Sequence, residues 1–553
     1  MKICLILALF TACSSDAPRP ETVLDRQECN PLGGNSCMTP WPSNLYASAD
    51  STSASGMRLD IPEGTLPTSL DNIAIDPAPL NRMDGFSAAA PIIVAFEVGV
   101  DDSNLVPNTR FADSVGESSP TVLIDMSTGD RVVHFAELDV RDPDRFDKQA
   151  LYIRPASRLK PKTRYAVAIR KSLKALDGSD LPISLGFAAI LSGEKTSHER
   201  LEARRDDYQE VLDVLSASGI AATDLVVAWD FTTASDEFIR QDLTAAVDRT
   251  LAASGVDGAN LSFTISEDLA KEDYRRVEGT FSVPLLLTRE GAFIGGIKAI
   301  RDSDGLPKTE GMHEVEFTAV IPDCALTSKV PVPVIVYGHG LLGQSNQAAS
   351  GSQVALSREM CAVVIGTIMR GMSTKDIANV LLVLNNYNLA DQIFDPMLQG
   401  ITNHIALVQA IRGPMAAGLF IDSENNSLVD PDKIYYYGLS QGGIFGATIV
   451  AYDPHISRAV LGVGAANYSM MLERSLDWPI YRTVMIGAYD HPLHVSLLLN
   501  LMQMRWDHTE PSNVIADLPG TAIPGKGDKQ ILMQIGFADS EVPNVTSEYQ
   551  ART

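Results

Sequence analysis

The spacing of hydrophobic and polar positions changes character along the chain. Over residues 90–190 short apolar runs stand between turn-forming residues: Ile92–Val98, Thr121–Asp125, Val132–Ala136, Ala150–Ile153 and Arg164–Ile169. In the last of these, Tyr165, Val167 and Ile169 alternate with small or polar residues, the period of two that marks a half-buried strand. The pattern predicts a β-sandwich-like, Ig-like region over 41–195, with a spacer or scaffold role as the simplest expectation. Leu201, Tyr208, Val211, Leu212 and Leu215 then recur at helical spacing. With Thr196 and Glu199 set as a capping box, they predict an amphipathic helix over 196–217 inside a helical connector spanning 196–274.

From 275 the pattern changes again. Strands are expected near Ser282–Leu287, Gly296–Ile300 and His313–Ile321, followed by continuous apolar runs at Val330–Tyr337, Ala362–Ile368, Ile434–Tyr437, Ala459–Val463 and Ile531–Ile535. Helical segments such as Gln399–Ile411 lie between them. Unbroken apolar strands alternating with helices indicate a mostly parallel sheet covered on both faces, an α/β domain over 275–553. A cap insertion is expected over about 466–528. The fold class is therefore multidomain: a β-rich N-terminal region followed by an α/β domain.

Composition narrows the function. With 45% hydrophobic and 20% charged residues the chain is expected to pack as a globular protein. A net charge of -25 argues against a nucleic-acid partner, because phosphate binding needs clustered Lys and Arg. At the N-terminus, Met1-Lys2 precede the apolar run Ile3–Phe10, which is shorter than the ~20 residues that span a bilayer. Thr11, Ala12 and Cys13 follow. This arrangement resembles a bacterial lipoprotein signal, with 1–12 removed, Cys13 lipidated and 13–40 forming a tether. It implies export and attachment at the outer membrane or cell surface of a Gram-negative bacterium. Of six cysteines, Cys29, Cys37, Cys324 and Cys361 remain beyond Cys4 and Cys13. Four cysteines allow three pairings, and the short loop with Gly33-Gly34 favours Cys29–Cys37 plus Cys324–Cys361. Neither a C-x-x-C nor a paired His accompanies them, so zinc is a poor alternative.

The chemistry centres on Ile434-Tyr435-Tyr436-Tyr437-Gly438-Leu439-Ser440-Gln441-Gly442-Gly443, which places G-x-S-x-G between a buried strand and a helix start. That context predicts a nucleophile elbow at Ser440, with Gly438 and Gly442 small so that strand and helix can approach. Donors for an oxyanion are expected from the backbone N–H groups of Leu341 and Gln441, with His339 and Gly340 as the supporting turn after Val330–Tyr337. Asp539, beyond Ile531–Ile535, is the expected acid, with Asp453 and Asp490 weaker choices. The base is the unfilled position. Thr553 is 14 residues past Asp539, the last histidine is His508, and a further strand carrying a His would need a longer chain. His491, His494 or His508, in the cap, are the internal substitutes. Acyl transfer of this kind needs no metal or cofactor.

These motifs resemble the bacterial virulence-factor lipases of the surface-exposed lysophospholipase type, members of the α/β-hydrolase superfamily. The shared features are Cys37-Met38-Thr39-Pro40-Trp41-Pro42-Ser43-Asn44, Trp229-Asp230-Phe231-Thr232-Thr233-Ala234, Tyr337-Gly338-His339-Gly340, Gln399-Gly400-Ile401-Thr402-Asn403, the Ser440 turn, and the segment from Asp539 to Ala551-Arg552-Thr553. The resemblance implies carboxylic-ester hydrolysis of ester or lipid substrates, Ser440 and Asp539 as triad members, and a catalytic His beyond Thr553 with the last strand. Read from the residues alone, Ile377–Leu384 and the Met-rich stretch Met470–Met504 fit an acyl pocket or lid and fit buried helices equally well. Two other readings stand beside it: a serine peptidase of the prolyl-oligopeptidase kind, and an inactive hydrolase-fold surface binding protein. Oligomeric state is not legible in the sequence.

Overall fold

The computed structural model describes residues 21–553 apart from 35, 143, 290–295, 490 and 521–522. Cys13, the 1–12 leader and the start of the tether lie outside the described residues, as does Asp490.

A short ribbon pairs β1 (Ala47–Ala49) with β2 (Met57–Leu59). The β-rich region is then two three-stranded antiparallel sheets. One joins β3 (Ile92–Ala95), β6 (Ala150–Pro155) and β5 (His134–Leu138), and the other joins β4 (Thr121–Asp125), β7 (Arg164–Arg170) and β8 (Leu225–Thr232). The third strand of the second sheet, β8, comes from within the stretch expected to be a helical connector. Its eight residues Leu-Val-Val-Ala-Trp-Asp-Phe-Thr are all buried, so it shows no alternation, and an unbroken apolar run does not distinguish strand from helix. The expected 196–217 helix is broken into Glu199–Ala203 and Arg205–Ala217. Its cap also differs: the His198 side chain accepts from the Leu201 N–H, while Thr196 bonds Glu202 instead of Glu199.

The large sheet has eight strands in the order β16-β15-β14-β12-β13-β11-β10-β9. These are β9 (Phe263–Ala270), β10 (Tyr274–Pro284), β11 (Met312–Pro322), β12 (Val332–Gly338), β13 (Val363–Thr367), β14 (Val429–Leu439), β15 (Arg458–Gly462) and β16 (Gln530–Gln534). The five from β16 to β13 run parallel, and β11, β10 and β9 are antiparallel. The sheet thus begins at 263, twelve residues before the expected boundary of 275, because β9 pairs along β10 as an exposed edge whose polar residues hide it from a hydrophobicity pattern. Gly296–Ile300 forms no strand in its described part, only a bridge between Ala299 and Leu287. At the other edge β16 leaves Leu532 60% and Phe537, just beyond it, 99% exposed.

The cap is built from helices Tyr468–Leu472, Trp478–Tyr489 and Pro492–Trp506. One hydrophobic core runs continuously from Trp41 and Trp229 through Phe281 and Val334 to Leu497 in the cap. Cystines join Cys29 to Cys37 and Cys324 to Cys361.

The β-rich region is bolted to the cap by charge. Glu473, 6% exposed at its side chain, receives Arg141 (2.9 Å), Arg154 and the Tyr152 hydroxyl (2.6 Å). Burial alone would raise the Glu473 carboxyl, but the two guanidinium groups outweigh it and hold it at about 2. Its contribution is therefore present above the ordinary carboxylate range near 4.5 and is lost as pH falls toward 2. Glu473→Gln is expected to cost about 1.5–3 kcal/mol at neutral pH, the scale of hydrogen bonds to charged groups, since it leaves Arg141 with Asp139 (2.7 Å) and Arg154 with Glu137 (2.6 Å) as their remaining carboxylates. Denaturant melts at pH 7 and pH 3 check this: the gap between the two proteins narrows at the lower pH.

Two short motifs far apart in sequence meet in this region. The Trp229 indole N–H donates to the Pro42 carbonyl (2.8 Å), and Asn44 Nδ2 donates to Asp230 (2.8 Å). Asp230 also receives Arg164 (2.6 Å) and Arg204 (3.2 Å). Their work is structural: they tie the N-terminal segment across β8.

Candidate active site

Ser440 sits between β14 and the helix Gln441–Tyr452 at φ 54, ψ -119. Those dihedrals are strained for any residue with a side chain, at a cost on the order of 1–3 kcal/mol, and the surroundings enforce them. The Ser440 N–H donates to Gly462 O (3.0 Å), fixing the turn to β15, and Tyr436 donates through its hydroxyl to Gly442 O (2.7 Å). All twelve residues of the helix are buried, so its first turn lies directly on the sheet. A Cβ on Gly438 would stand 2.1 Å from Gly442 O, and one on Gly442 would stand 2.1 Å from Gly338 O in β12. The two glycines are what allow strand, turn and helix to occupy the same space.

The turn after β12 faces this elbow. Leu341, Ser440 and Gln441 line one pocket. Among the described residues neither the Leu341 nor the Gln441 N–H has a protein acceptor. A first-turn N–H has no partner in its own helix, so Gln441 is available to a ligand oxygen. The Gly340 N–H, by contrast, is held by Gln347 Oε1 (2.9 Å).

His339 is fixed as a neutral buttress. Its Nδ1 donates to Gly340 O (2.8 Å) and its Nε2 accepts the Met369 N–H (2.9 Å). Burial pulls its pKa down to about 4. With both nitrogens engaged it cannot take a proton from Ser440. The cap histidines are elsewhere too. His491 and His494 stack on each other (ring centroids 4.3 Å apart), and His508 Nδ1 bonds Ile239 O (2.9 Å). Among the described residues no histidine lines the pocket that holds Ser440.

Asp539 follows β16 in the loop beside the pocket. One of its oxygens accepts the Glu541 and Val542 N–H groups, both at 2.9 Å. Those two residues line the Ser440 pocket, whereas Asp539 itself does not. Across from it Asp477 lines the pocket, and its carboxyl is raised by burial and then by the charge of Asp539. Asp453 serves the fold: its Oδ1 caps the His455 and Ile456 N–H groups (2.7 and 3.0 Å), and burial pushes it up to about 6. Gln399 and Asn403 are likewise structural, bonding each other (3.0 Å) and the backbone at Pro284, Leu286 and Ile368.

The rest of the pocket is mostly apolar, with Ser475, Asp477 and Glu541 as its polar residues. Val380 and Leu384 come from the segment Ile377–Leu384, and Met471, Leu472 and Met502 from the Met-rich stretch. Asp477, Glu541, Met372 and Trp506 also line it. No spacing rule marks these four in the sequence, because four separate elements bring them together. The arrangement offers a hydroxyl on a strained turn, two backbone N–H groups without a protein acceptor on residues of the same pocket, and an oily slot, the parts of an acyl-transfer site other than its base.

No protein-family model and no curated protein matches the sequence. Among solved structures the chain is similar to acetyl xylan esterase 1 from Thermoanaerobacterium sp. JW/SL YS485, at 16% identity over 57% of this chain and 84% of that one, with a TM-score of 0.34. It is similar to an S-formylglutathione hydrolase from Agrobacterium tumefaciens at 15% identity, covering 52% and 85%, with a TM-score of 0.30. It is also similar to the Pyrococcus horikoshii acylaminoacyl peptidase at 15%, covering 52% and 42%, with a TM-score of 0.27. At such scores these likenesses carry no argument about mechanism, and the functional reading rests on the geometry of the Ser440 turn.

Proposed function

We propose that the protein is a serine carboxylic-ester hydrolase of the α/β-hydrolase fold, working through an acyl-enzyme on esters with an apolar acyl group. The observation that carries this reading is Ser440 at φ 54 on a strand-to-helix turn, sharing a largely apolar pocket with Leu341 and Gln441. Ser440 Oγ attacks the ester carbonyl and the carbonyl oxygen, as it gains charge, is held by the two N–H groups. The alcohol leaves, the acyl chain stays in the slot toward Val380 and Met502, and water releases the acid. The hydroxyl proton passes to a base that Asp539 would orient, a position that no described histidine occupies.

The apolar walls from Val380, Leu384, Ile393, Met471, Leu472 and Met502 suit an acyl chain. Hydrolysis of p-nitrophenyl acetate, butyrate, octanoate and palmitate tests the reading. kcat/KM is expected to rise from acetate to octanoate by about tenfold or more, as added methylenes are buried at roughly 0.8 kcal/mol each. A flat or falling series, or faster turnover of peptide anilides, contradicts it. The surface-binding reading is favoured by one observation, the doubly bonded neutral His339; retained binding of an ester with no turnover supports it. Anchoring through a lipid on Cys13 belongs to the same proposal, and its test is radiolabelled-palmitate incorporation that Cys13→Ala abolishes.

A further inference from the structure

A carboxylate lies buried beneath the residue that follows the nucleophile. Glu510 is 1% exposed. Its Oε1 accepts the backbone N–H groups of Asn467 and Tyr468 (3.0 Å for the latter), and its Oε2 accepts from Gln503 Nε2 (2.5 Å) and the Ser512 hydroxyl (2.9 Å). Among the described residues no Lys or Arg pairs with it, so an ionised Glu510 is held by four neutral donors alone.

Two of those donors belong to a strained turn. Asn467 has φ 71 and caps the helix Tyr468–Leu472 with its side chain. Its Nδ2 also donates to Ala89 O (2.7 Å) in the β-rich region. The next residue, Tyr468, lines the pocket, stacks on Trp506 (centroids 5.0 Å apart) and accepts a hydrogen bond from Gln441 Nε2 at 2.5 Å through its hydroxyl oxygen. Gln441 is the residue whose N–H is set to meet the oxyanion. The connection is therefore continuous: carboxylate, turn, phenol, Gln441.

We propose that Glu510 is a positioning residue for the oxyanion site: as a carboxylate it fixes the Asn467–Tyr468 turn, and Tyr468 in turn holds Gln441 beside the nucleophile. This rests on the hydrolase reading for its effect on rate, though not for the existence of the link. The groups facing Glu510 are Asp507 from its own segment, Tyr468 from the cap helix and Tyr549 from the last helix. Arg158, from the β-rich region, acts on Asp507 and Tyr549. Burial and then the charge of Asp507 push Glu510 up to about 7, against the pull of its donors. Global stability from this group is thus greatest below the ordinary carboxylate range and falls as pH rises through 7, while the turn is pinned best above 7. On protonation Oε2 can donate to the Ser512 hydroxyl, which accepts as readily as it donates, and Oε1 still faces the two N–H groups but as a neutral carbonyl oxygen, so those bonds lose their charge assistance. The turn slackens as pH falls.

The test reads the turn without requiring turnover. Trp506, stacked on Tyr468, reports it by its emission. Between pH 5 and 9 the wild-type protein is expected to show a fluorescence transition with a midpoint near 7 that is absent in both Glu510→Gln and Trp506→Phe. A transition that survives in Glu510→Gln, or none in the wild type, overturns the proposal. In parallel, labelling of Ser440 by a fluorophosphonate at pH 8 is expected to slow about tenfold in Glu510→Gln and in Tyr468→Phe, the scale set by small misplacements of catalytic groups. Tyr468→Phe removes one oxygen and keeps the stack, and a cooperative melt like that of the wild type separates its slowing from misfolding; wild-type labelling in that variant overturns the link to Gln441. A wild-type protein that takes no fluorophosphonate defeats the hydrolase reading, while the fluorescence titration still decides the role of Glu510.

Discussion

Ser440→Ala is expected to reduce kcat for ester hydrolysis by about 10⁴-fold or more, the scale seen when a nucleophile that acts as part of a unit is removed. Stability should scarcely change, because alanine keeps the Cβ that makes φ 54 unfavourable. Ser440→Gly separates the two effects. Glycine adopts these dihedrals without steric cost, so this variant loses the same activity and gains on the order of 1 kcal/mol of stability. A parallel loss of activity and stability in both variants would mean that Ser440 is a packing residue in a βα turn. Opposed changes in Ser440→Gly would mark strain held for function.

Gly442→Ala is expected to destabilise the fold by about 3 kcal/mol or more, at the upper end of overpacking effects. The added methyl would stand 2.1 Å from Gly338 O, 2.4 Å from Gly338 C and 2.9 Å from Gly338 Cα, all backbone of β12. No side chain can rotate away, so the helix Gln441–Tyr452 must lift from the sheet and carry the Gln441 N–H with it. Gly487→Ala is the control. A Cβ at 487 meets nothing within 4 Å in the last turn of the helix Trp478–Tyr489. There the substitution should be neutral or stabilising by up to about 1 kcal/mol, the helix-propensity difference. Chemical denaturation of both variants checks the pair.

The elbow was legible in the sequence because three local requirements coincide within ten residues: an apolar run ending at Tyr437, small residues at 438 and 442, and a helix start at Gln441. Each has a short-range cause, and each leaves its own mark on the residues. The strand β8 was hidden for the opposite reason. Its partner β7 ends 55 residues before it begins, and a run buried on both faces has no period to read. The edge strand β9 was hidden by polarity, since Ser266, Glu267 and Asp268 face solvent there. The wall of the pocket could not be read either. Asp477 and Glu541 meet near Ser440 only through the way the cap and the loop after β16 close over it. His339 shows how geometry settles a choice that composition leaves open: a histidine two residues from an oxyanion donor is placed like a base, but Gly340 O and the Met369 N–H occupy both of its nitrogens.

The β-rich region was expected as a spacer. Its contacts give it a larger part, because it holds the cap from two sides: Arg141 and Arg154 grip Glu473, next to the pocket residue Leu472, and Ala89 O anchors Asn467, next to Tyr468. Trp41 adds a third tie by donating to Asn500 Oδ1 (2.9 Å) in the helix Pro492–Trp506. A lid so fastened changes shape only if the β-rich region moves with it.

The most direct test of the central claim is covalent capture at Ser440. The protein is treated with a fluorophosphonate at pH 8, digested and read by mass spectrometry. The predicted result is a single phosphonyl adduct on the peptide containing Ser440, formed much faster in the folded protein than after denaturation and absent in Ser440→Ala. Adducts spread over several serines, or a folded protein that labels no faster than the unfolded chain, would contradict it.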